Sequence, residues 1–430
     1  MQTLTIAATL AGILGTALPH PDPGASQGLP PADQPQKPPP TFRSSVQLVE
    51  VDVIATDRQG RFVHRLTADD LEVYEDGQRQ QVDVFYVVAR ETAAAARGAE
   101  EPAAVSPARH EERVFVFLFD EGHLTNEAVQ RLKRAAQEFV STEFRRGDIG
   151  GLFHAGQMAN GRLTSSPAEL VNALRAVQPA PETRAARIAL FRDFPRVEGE
   201  YEASRIEAGD TRTLANAAQQ NCEDDPDQCG LEGGLEMVEQ QLDQKARRYI
   251  NEARAATSRI LRTLTVVAGG LARVPGRKTL VLFTEGFFVE ESRTAVQQIA
   301  AQAARNGVTI YVVDGRGTRE SGGRALPDAA YTGPPISTAF DTADDGPAIL
   351  AADTGGFVAR GSDNFLRALG RIADDTSTYY VLGYTPALQK LDGSLRKIEV
   401  RSKVPGLQIR ARKAYLAVPL PPPARPGGRD

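Results

Sequence analysis

The sequence predicts an α/β fold, with a doubly wound, mostly parallel, Rossmann-like sheet in the middle of the chain. Three mostly apolar runs carry this prediction: 114–119, 278–284 and 308–313. Polar residues do not alternate with apolar ones inside them. Strands buried on both faces by helices have this pattern. The first run ends at Asp120, the second leads to Glu285 and the third ends at Asp314. These acids should therefore lie at the carboxyl edge of the sheet, where open α/β folds bind ligands.

Shorter elements complete the α/β region. Apolar residues at helical spacing predict helices over 125–145, 293–305, 346–353 and 364–374, and Ser166-Pro167 begins another. Strands are predicted at 149–154 and 355–359, with a short one at 161–164.

Both ends of the chain carry antiparallel β material instead. Segments 42–90 and 377–416 alternate apolar and polar residues and contain turn sequences such as Glu75-Asp76-Gly77 and Asp392-Gly393. Each segment is too short to bury an independent core. We therefore predict one antiparallel β-sandwich assembled from the N- and C-terminal segments, with the α/β region 113–376 inserted between them.

Residues 180–272 interrupt the α/β pattern and are predicted to form a helical insertion with a long helix over 231–273. They contain the only cysteines, Cys222 and Cys229. In an exported protein this pair predicts a small disulfide loop, and two free surface thiols are the alternative.

The N-terminus predicts export. Leu4–Leu18 is apolar and of signal-peptide length, with small residues Gly15 and Ala17 at plausible cleavage positions. A short buried helix is the alternative. We expect a signal peptide at 1–18, a Pro-rich linker at 19–41, a second linker at 91–112 and a disordered tail at 417–430. The mature protein would be secreted, periplasmic or at the cell surface, without a membrane span.

Composition and motifs limit the function. The net charge of −5 argues against a nucleic-acid partner. No phosphate-binding loop, dinucleotide fingerprint, metalloprotease helix or strand-borne nucleophile elbow is present. We therefore expect a protein that is not an enzyme.

The order of elements resembles a von Willebrand factor A (VWA) domain, whose sheet has strand order 3-2-1-4-5-6. Three phrases resemble, more narrowly, the VWFA-related family found in Acidobacteria: RLTADDLEVYEDGQRQQVDVF at 65–85, PGRKTLVLFTEGF at 275–287, and the stretch from Tyr379 to Tyr415 beginning YYVLGYTPAL. The resemblance covers about 42–90, 113–178 and 270–416, and leaves the helical insertion uncovered.

The resemblance implies a metal-ion-dependent adhesion site for Mg²⁺ or another divalent cation, and here that site is degenerate. Asp120 matches its first acid, but Gly122 and Leu124 stand where two serines should supply oxygen ligands. Glu285 replaces a later Asp, and Thr183 is the nearest candidate for the missing Thr. Alternatively, Asp120 caps the following helix and Glu285 is a solvated loop acid.

A different metal site is also conceivable. His123 and His154 could join Asp120 and Glu285 in a site for zinc or another transition metal, which would make the protein a metal-dependent hydrolase. A metal-free structural or assembly factor is a third class. Our interpretation from the sequence is an exported VWA-domain protein that mediates protein–protein interaction or adhesion through its carboxyl-edge loops.

Overall fold

The computed structural model describes residues 48–89, 113–179, 193–230, 232–287, 292–316, 337–360, 364–388 and 390–418, with backbone alone for 337–345. The predicted signal peptide, both linkers, Thr183 and almost all of the predicted tail lie outside these residues.

The strands and helices are numbered here along the described chain. The strands are β1 Val49–Thr56, β2 Leu71–Glu75, β3 Gln78–Gln80, β4 Val84–Ala89, β5 Val114–Phe119, β6 Ile149–His154, β7 Gln157–Met158, β8 Lys278–Thr284, β9 Val308–Asp314, β10 Val358–Ala359, β11 Thr378–Tyr384, β12 Leu395–Ser402, β13 Gln408–Ala411 and β14 Ala414–Leu416. The helices are α1 Asn126–Glu143, α2 Pro167–Ala176, α3 Glu200–Glu207, α4 Thr211–Asp224, α5 Pro226–Cys229, α6 Gly234–Leu271, α7 Arg293–Arg305, α8 Ser337–Thr354 and α9 Phe365–Ser377.

A six-stranded, mostly parallel sheet forms the centre of the α/β region, in the order β10-β9-β8-β5-β6-β7. Only β7 runs antiparallel to its neighbour, β6. Counted along the chain from its first strand and read from β7, the order is 3-2-1-4-5-6, the order that the resemblance implies.

Helices cover both faces of this sheet, which explains why its central strands lack alternation. Val116 and Leu118 of β5 face a core shared with α6, α7 and α8, whereas Phe115 and Phe117 face a core shared with α1, α2 and α9. Every residue of β5, β8 and β9 is buried. Apolar side chains are therefore needed at consecutive positions.

The two terminal segments form two four-stranded sheets, of order β13-β1-β11-β4 and β14-β12-β2-β3. Each combines strands from both ends of the chain, and all the pairings are antiparallel. One apolar core contains Val51 and Leu382 of the first sheet together with Val73 and Ile398 of the second. The two sheets therefore share a core that neither end of the chain could build alone.

A polar contact also joins these sheets inside that core. The buried Glu75 carboxylate of β2 accepts hydrogen bonds from Tyr384 of β11 at 2.6 Å and from Tyr415 of β14 at 3.1 Å. Burial, followed by the hydrogen bond to Glu75, raises the pKa of Tyr384, so this phenol stays a donor.

The insertion is a small helical cluster built on α6. Val238, Leu242 and Ile250 in the first half of α6 pack with Ile206 of α3 and Ala218 of α4. Farther along, Ile260, Leu264 and Leu271 of the same helix pack on the parallel sheet. Cys222 and Cys229 form a disulfide between the end of α4 and α5, with a Cα–Cα distance of 5.6 Å.

Two predicted elements were wrong in detail. Residues 161–164 form no strand: only Thr164 bridges to Gly150, because the chain turns through Asn160 at φ 57° and Gly161 at φ 65°. The helix predicted over 346–353 begins at Ser337, and Pro347 lies inside it.

Candidate functional site

The carboxyl edge of the parallel sheet places Asp120 directly after β5. Its side chain is buried, with 3% exposed. Both carboxylate oxygens lie 2.9 Å from Nδ1 of His123, and Oδ2 also accepts a 2.8 Å hydrogen bond from the Thr284 hydroxyl at the end of β8. Because a carboxylate can only accept here, Nδ1 of His123 carries the proton. The carboxylate that, by the resemblance, would bind a cation thus forms hydrogen bonds with donors of the protein itself.

Local backbone geometry brings His123 to this acid. The Asp120 carbonyl accepts hydrogen bonds from the amides of His123 and Leu124, which closes a tight turn immediately after the strand. The imidazole is buried, with 5% of the residue exposed, and its ring centre lies 5.7 Å from that of Phe287. Asp120 and His123, two residues of the alternative metal site predicted from the sequence, therefore do come together.

Glu285 has a different role from either expectation. It is 2% exposed, so the prediction of a solvated loop acid was wrong. Its carboxylate accepts hydrogen bonds from the Thr125 hydroxyl at 2.7 Å and the Thr125 amide at 3.2 Å. Thr125, not Asp120, is the N-cap of α1, and its hydroxyl accepts from the amide of Ala128. The capping role expected for Asp120 was therefore wrong, while Glu285 places negative charge at the positive end of α1.

His154 lies in a second pair, which was not predicted from the sequence. Its Nδ1 contacts the carboxylate of Glu121, and the same carboxylate accepts a 2.8 Å hydrogen bond from the amide of Ala155. Glu121 directly follows Asp120 in the sequence and therefore lies in the same loop. This position is the sequence feature from which the pair could have been predicted. This pair joins the loop after β5 to the loop after β6.

A third acid of the edge, Asp314 at the end of β9, also forms hydrogen bonds with donors of the protein. It accepts hydrogen bonds from the amide and the guanidinium of Arg316, and both side chains are buried. Gly315, which lies between these two residues, is packed closely: an added Cβ would lie 3.0 Å from Leu124 and 3.1 Å from Ala128.

Gly122 and Leu124, at the two positions where serines would complete the implied metal site, pack against neighbouring residues instead. A Cβ on Gly122 would lie 3.4 Å from Cβ of Ala256, so the middle of α6 passes against this loop. Leu124 is fully buried in the core beneath α1. The helical insertion thus contacts the edge loop at the position of the first missing serine.

No group of three or more His, Cys, Asp or Glu side chains in the described part of the chain is arranged to hold a metal ion. Asp120 pairs with His123, Glu121 pairs with His154, and Glu285 binds the start of α1. Thr183 cannot be placed, since it lies outside the described residues.

Comparisons with known proteins find structural likenesses only. No family model matches the sequence, and no curated protein does. Among solved structures, the chain is similar to the conserved hypothetical protein BatB from Bacteroides thetaiotaomicron, with 13% identity, a TM-score of 0.29 and coverage of 62% of this chain and 97% of that one. It is also similar to an aerotolerance-related membrane protein from Bacteroides fragilis carrying multiple mutations to serine, with 12% identity, a TM-score of 0.29 and coverage of 62% and 98%.

Within the residues that the structure describes, no helix is long and apolar enough to cross a membrane.

Proposed function

We propose that this chain is an exported, VWA-like protein that binds a partner protein through its carboxyl-edge loops and needs no metal ion to do so. The loops concerned follow β5, β6, β8 and β9, and include residues 120–125, 155–162, 284–287 and 315–316. The observation that carries the proposal is that the Asp120 carboxylate already forms hydrogen bonds with His123 and Thr284. In an adhesion site of the usual kind, the corresponding acid helps to hold a cation, and the cation in turn binds the partner's carboxylate.

The exposed loop 155–162 supports a role in recognition. Ala155 has φ 50°, a left-handed conformation that costs energy for a residue with a side chain. The hydrogen bond from its amide to Glu121 supports that conformation, and Gly156 and Gln157 beyond it are exposed. A loop held in one shape loses little conformational entropy on binding, which favours affinity.

A metal-dependent hydrolase using Asp120, His123, His154 and Glu285 remains the second candidate. The Asp120–His123 pair favours it, because a carboxylate that fixes the imidazole tautomer is a common arrangement in general-base catalysis. Two features oppose it: the His123 ring is almost completely buried, and His154 is paired with Glu121. In the third candidate, a metal-free structural or assembly factor, the carboxyl-edge site is vestigial and these loops do not bind the partner.

Site-specific photo-crosslinking in the native host tests the proposal. A photoreactive residue at Gln157, the exposed first residue of β7, should form an adduct of defined mass with a partner protein, with the same yield in the presence of EDTA. The same residue at Ser141, exposed at the far end of α1, is the matched control and should give no such adduct. Loss of the adduct in EDTA would instead indicate a metal-dependent site, and no adduct at any edge loop would contradict the proposal.

A further inference from the structure

A cavity of about 420 Å³ lies at the opposite, amino edge of the parallel sheet, where that edge meets the first antiparallel sheet. One wall comes from β1, β4, β11 and β13. The other comes from the residues before β8 and β9 and from the end of α7. Its volume is within the range of pockets for small molecules, roughly 300–1,000 Å³.

Four arginines line this cavity, and we call it the arginine cleft: Arg277, Arg305, Arg410 and Arg412. The acids that line it are Glu50 and Asp52. Asp52 pairs with Arg277 at 3.3 Å, and Asp375, outside the lining, accepts a 2.6 Å hydrogen bond from Arg410. The cleft therefore has an excess of positive charge, concentrated on Arg305 and Arg412.

Carbonyl groups hold these two arginines only in part. Arg412 donates to the carbonyls of Ala304 and Glu50, each at 2.6 Å, and Arg305 donates to the carbonyl of Leu416. Nε of Arg412 and Nη2 of Arg305 have no hydrogen-bond acceptor among the described residues. Burial lowers the pKa of both guanidinium groups, and the charges of Asp52 and Glu50 only partly offset this effect at Arg412. A buried donor without an acceptor carries a substantial free-energy cost, which an anionic ligand would remove.

Aromatic and aliphatic side chains form the rest of the lining. Tyr86, Tyr379, Ile54 and Val381 lie on the wall from the antiparallel sheet. The guanidinium of Arg277 stacks 4.2 Å from the centre of the Tyr379 ring, which fixes one cation beside an aromatic surface. Such a lining suits a ligand with an anionic group at one end and an apolar or aromatic body at the other.

We propose that the arginine cleft binds a small organic anion, a carboxylate or phosphate ester with an apolar or aromatic body. A planar guanidinium can donate two parallel hydrogen bonds to either anion. The proposal is independent of the function proposed for the carboxyl edge, because the cleft lies at the other edge of the sheet.

Thermal melting of the full chain, with binding measured by titration calorimetry, tests this site. The probes are phenyl phosphate, benzoate and phenol, at matched ionic strength. One of the two anions should raise the melting temperature saturably, as a ligand of the native state must, and phenol should not. The stronger anion identifies the headgroup.

Three variants separate a specific site from a general salt effect. Arg305→Gln should weaken binding of the active anion by about tenfold or more, since it removes a charge-assisted donor. Arg401→Gln, which removes an arginine exposed beside Glu399 on β12, is the matched control and should bind as the wild type does. Asp52→Asn removes a competing carboxylate, and should tighten binding while lowering the melting temperature without ligand.

The proposal is overturned if neither anion gives a saturable shift, if phenol binds equally well, or if Arg305→Gln and the wild type bind alike. If Arg305→Gln does not fold, the direction of the Asp52→Asn effect decides: weaker or unchanged binding would also overturn it.

Discussion

The hydroxyl of Thr284 gives the sharpest test of how the carboxyl edge is held together. Thr284 is 1% exposed, donates to Asp120 at 2.8 Å and accepts from the amide of Gly286 at 3.1 Å. Thr284→Val keeps the shape of the side chain and its β-branching but removes both hydrogen bonds. A hydrogen bond to a charged group contributes about 1.5–3 kcal/mol, and a buried amide left without an acceptor costs about 1–3 kcal/mol.

We therefore expect Thr284→Val to lower the free energy of unfolding by about 3 kcal/mol. Urea unfolding followed by far-ultraviolet circular dichroism measures this, since the chain has no tryptophan. Thr265→Val is the control: Thr265 is exposed, and its hydroxyl donates only to the Leu261 carbonyl within α6. Its effect should stay below about 1 kcal/mol. If Thr284→Val is no more destabilising than Thr265→Val, the hydroxyl does not hold Asp120 and our description of the edge fails.

Three further predictions concern stability elsewhere in the chain. Burial raises the pKa of Glu202 to about 7. The contribution of Glu202 to the free energy of unfolding is therefore complete below about pH 4.5 and is lost as the pH rises through about 7. Glu202→Gln should therefore stabilise the protein at pH 8 by about 1–3 kcal/mol and have no such effect at pH 4; equal effects at both pH values would contradict the raised pKa. Replacing Cys222 and Cys229 together by serine should cost about 2 kcal/mol, as expected for so short a closed loop, in the unfolding of the insertion measured by hydrogen exchange. Asp148→Asn leaves the buried Arg113 guanidinium without its 2.9 Å ion-pair partner, and should cost about 3–5 kcal/mol in urea unfolding; a loss below 1 kcal/mol would show that the pair is dispensable.

The central strands could be predicted from sequence because burial on both faces leaves a local trace. Val114–Phe119 is wholly apolar and Val308–Val313 has Thr309 as its only polar residue, and the structure buries each of these side chains. The pairing of N- and C-terminal strands followed from a size argument, since neither segment could bury a core by itself.

The partners of the edge acids could not be predicted in the same way. Thr284 is the last residue of a strand, and nothing local shows that its hydroxyl meets Asp120, 164 positions earlier. Glu285 looked like an exposed loop acid because acids in loops are usually solvated. Only the closeness of β5 and β8 in the sheet brings it to the start of α1.

The arginine cleft could not be predicted from the sequence either, because its charged residues come from distant parts of the chain. Arg277 and Arg305 belong to the α/β region, whereas Arg410 and Arg412 belong to a C-terminal antiparallel strand and the turn after it. No spacing rule connects them, and net charge hides them, because the chain as a whole is acidic.

The central claim, that protein donors hold the carboxyl-edge acids in place of a metal ion, is tested most directly by thermal melting with Mg²⁺ and with Zn²⁺. A cation that binds the native state at one hundred times its dissociation constant stabilises by about 2.7 kcal/mol, which is easily seen as a shift in melting temperature. We expect no shift for the wild type with either ion. A saturable rise that is lost in Asp120→Asn, but kept in Asp69→Asn in the exposed turn before β2, would contradict the account.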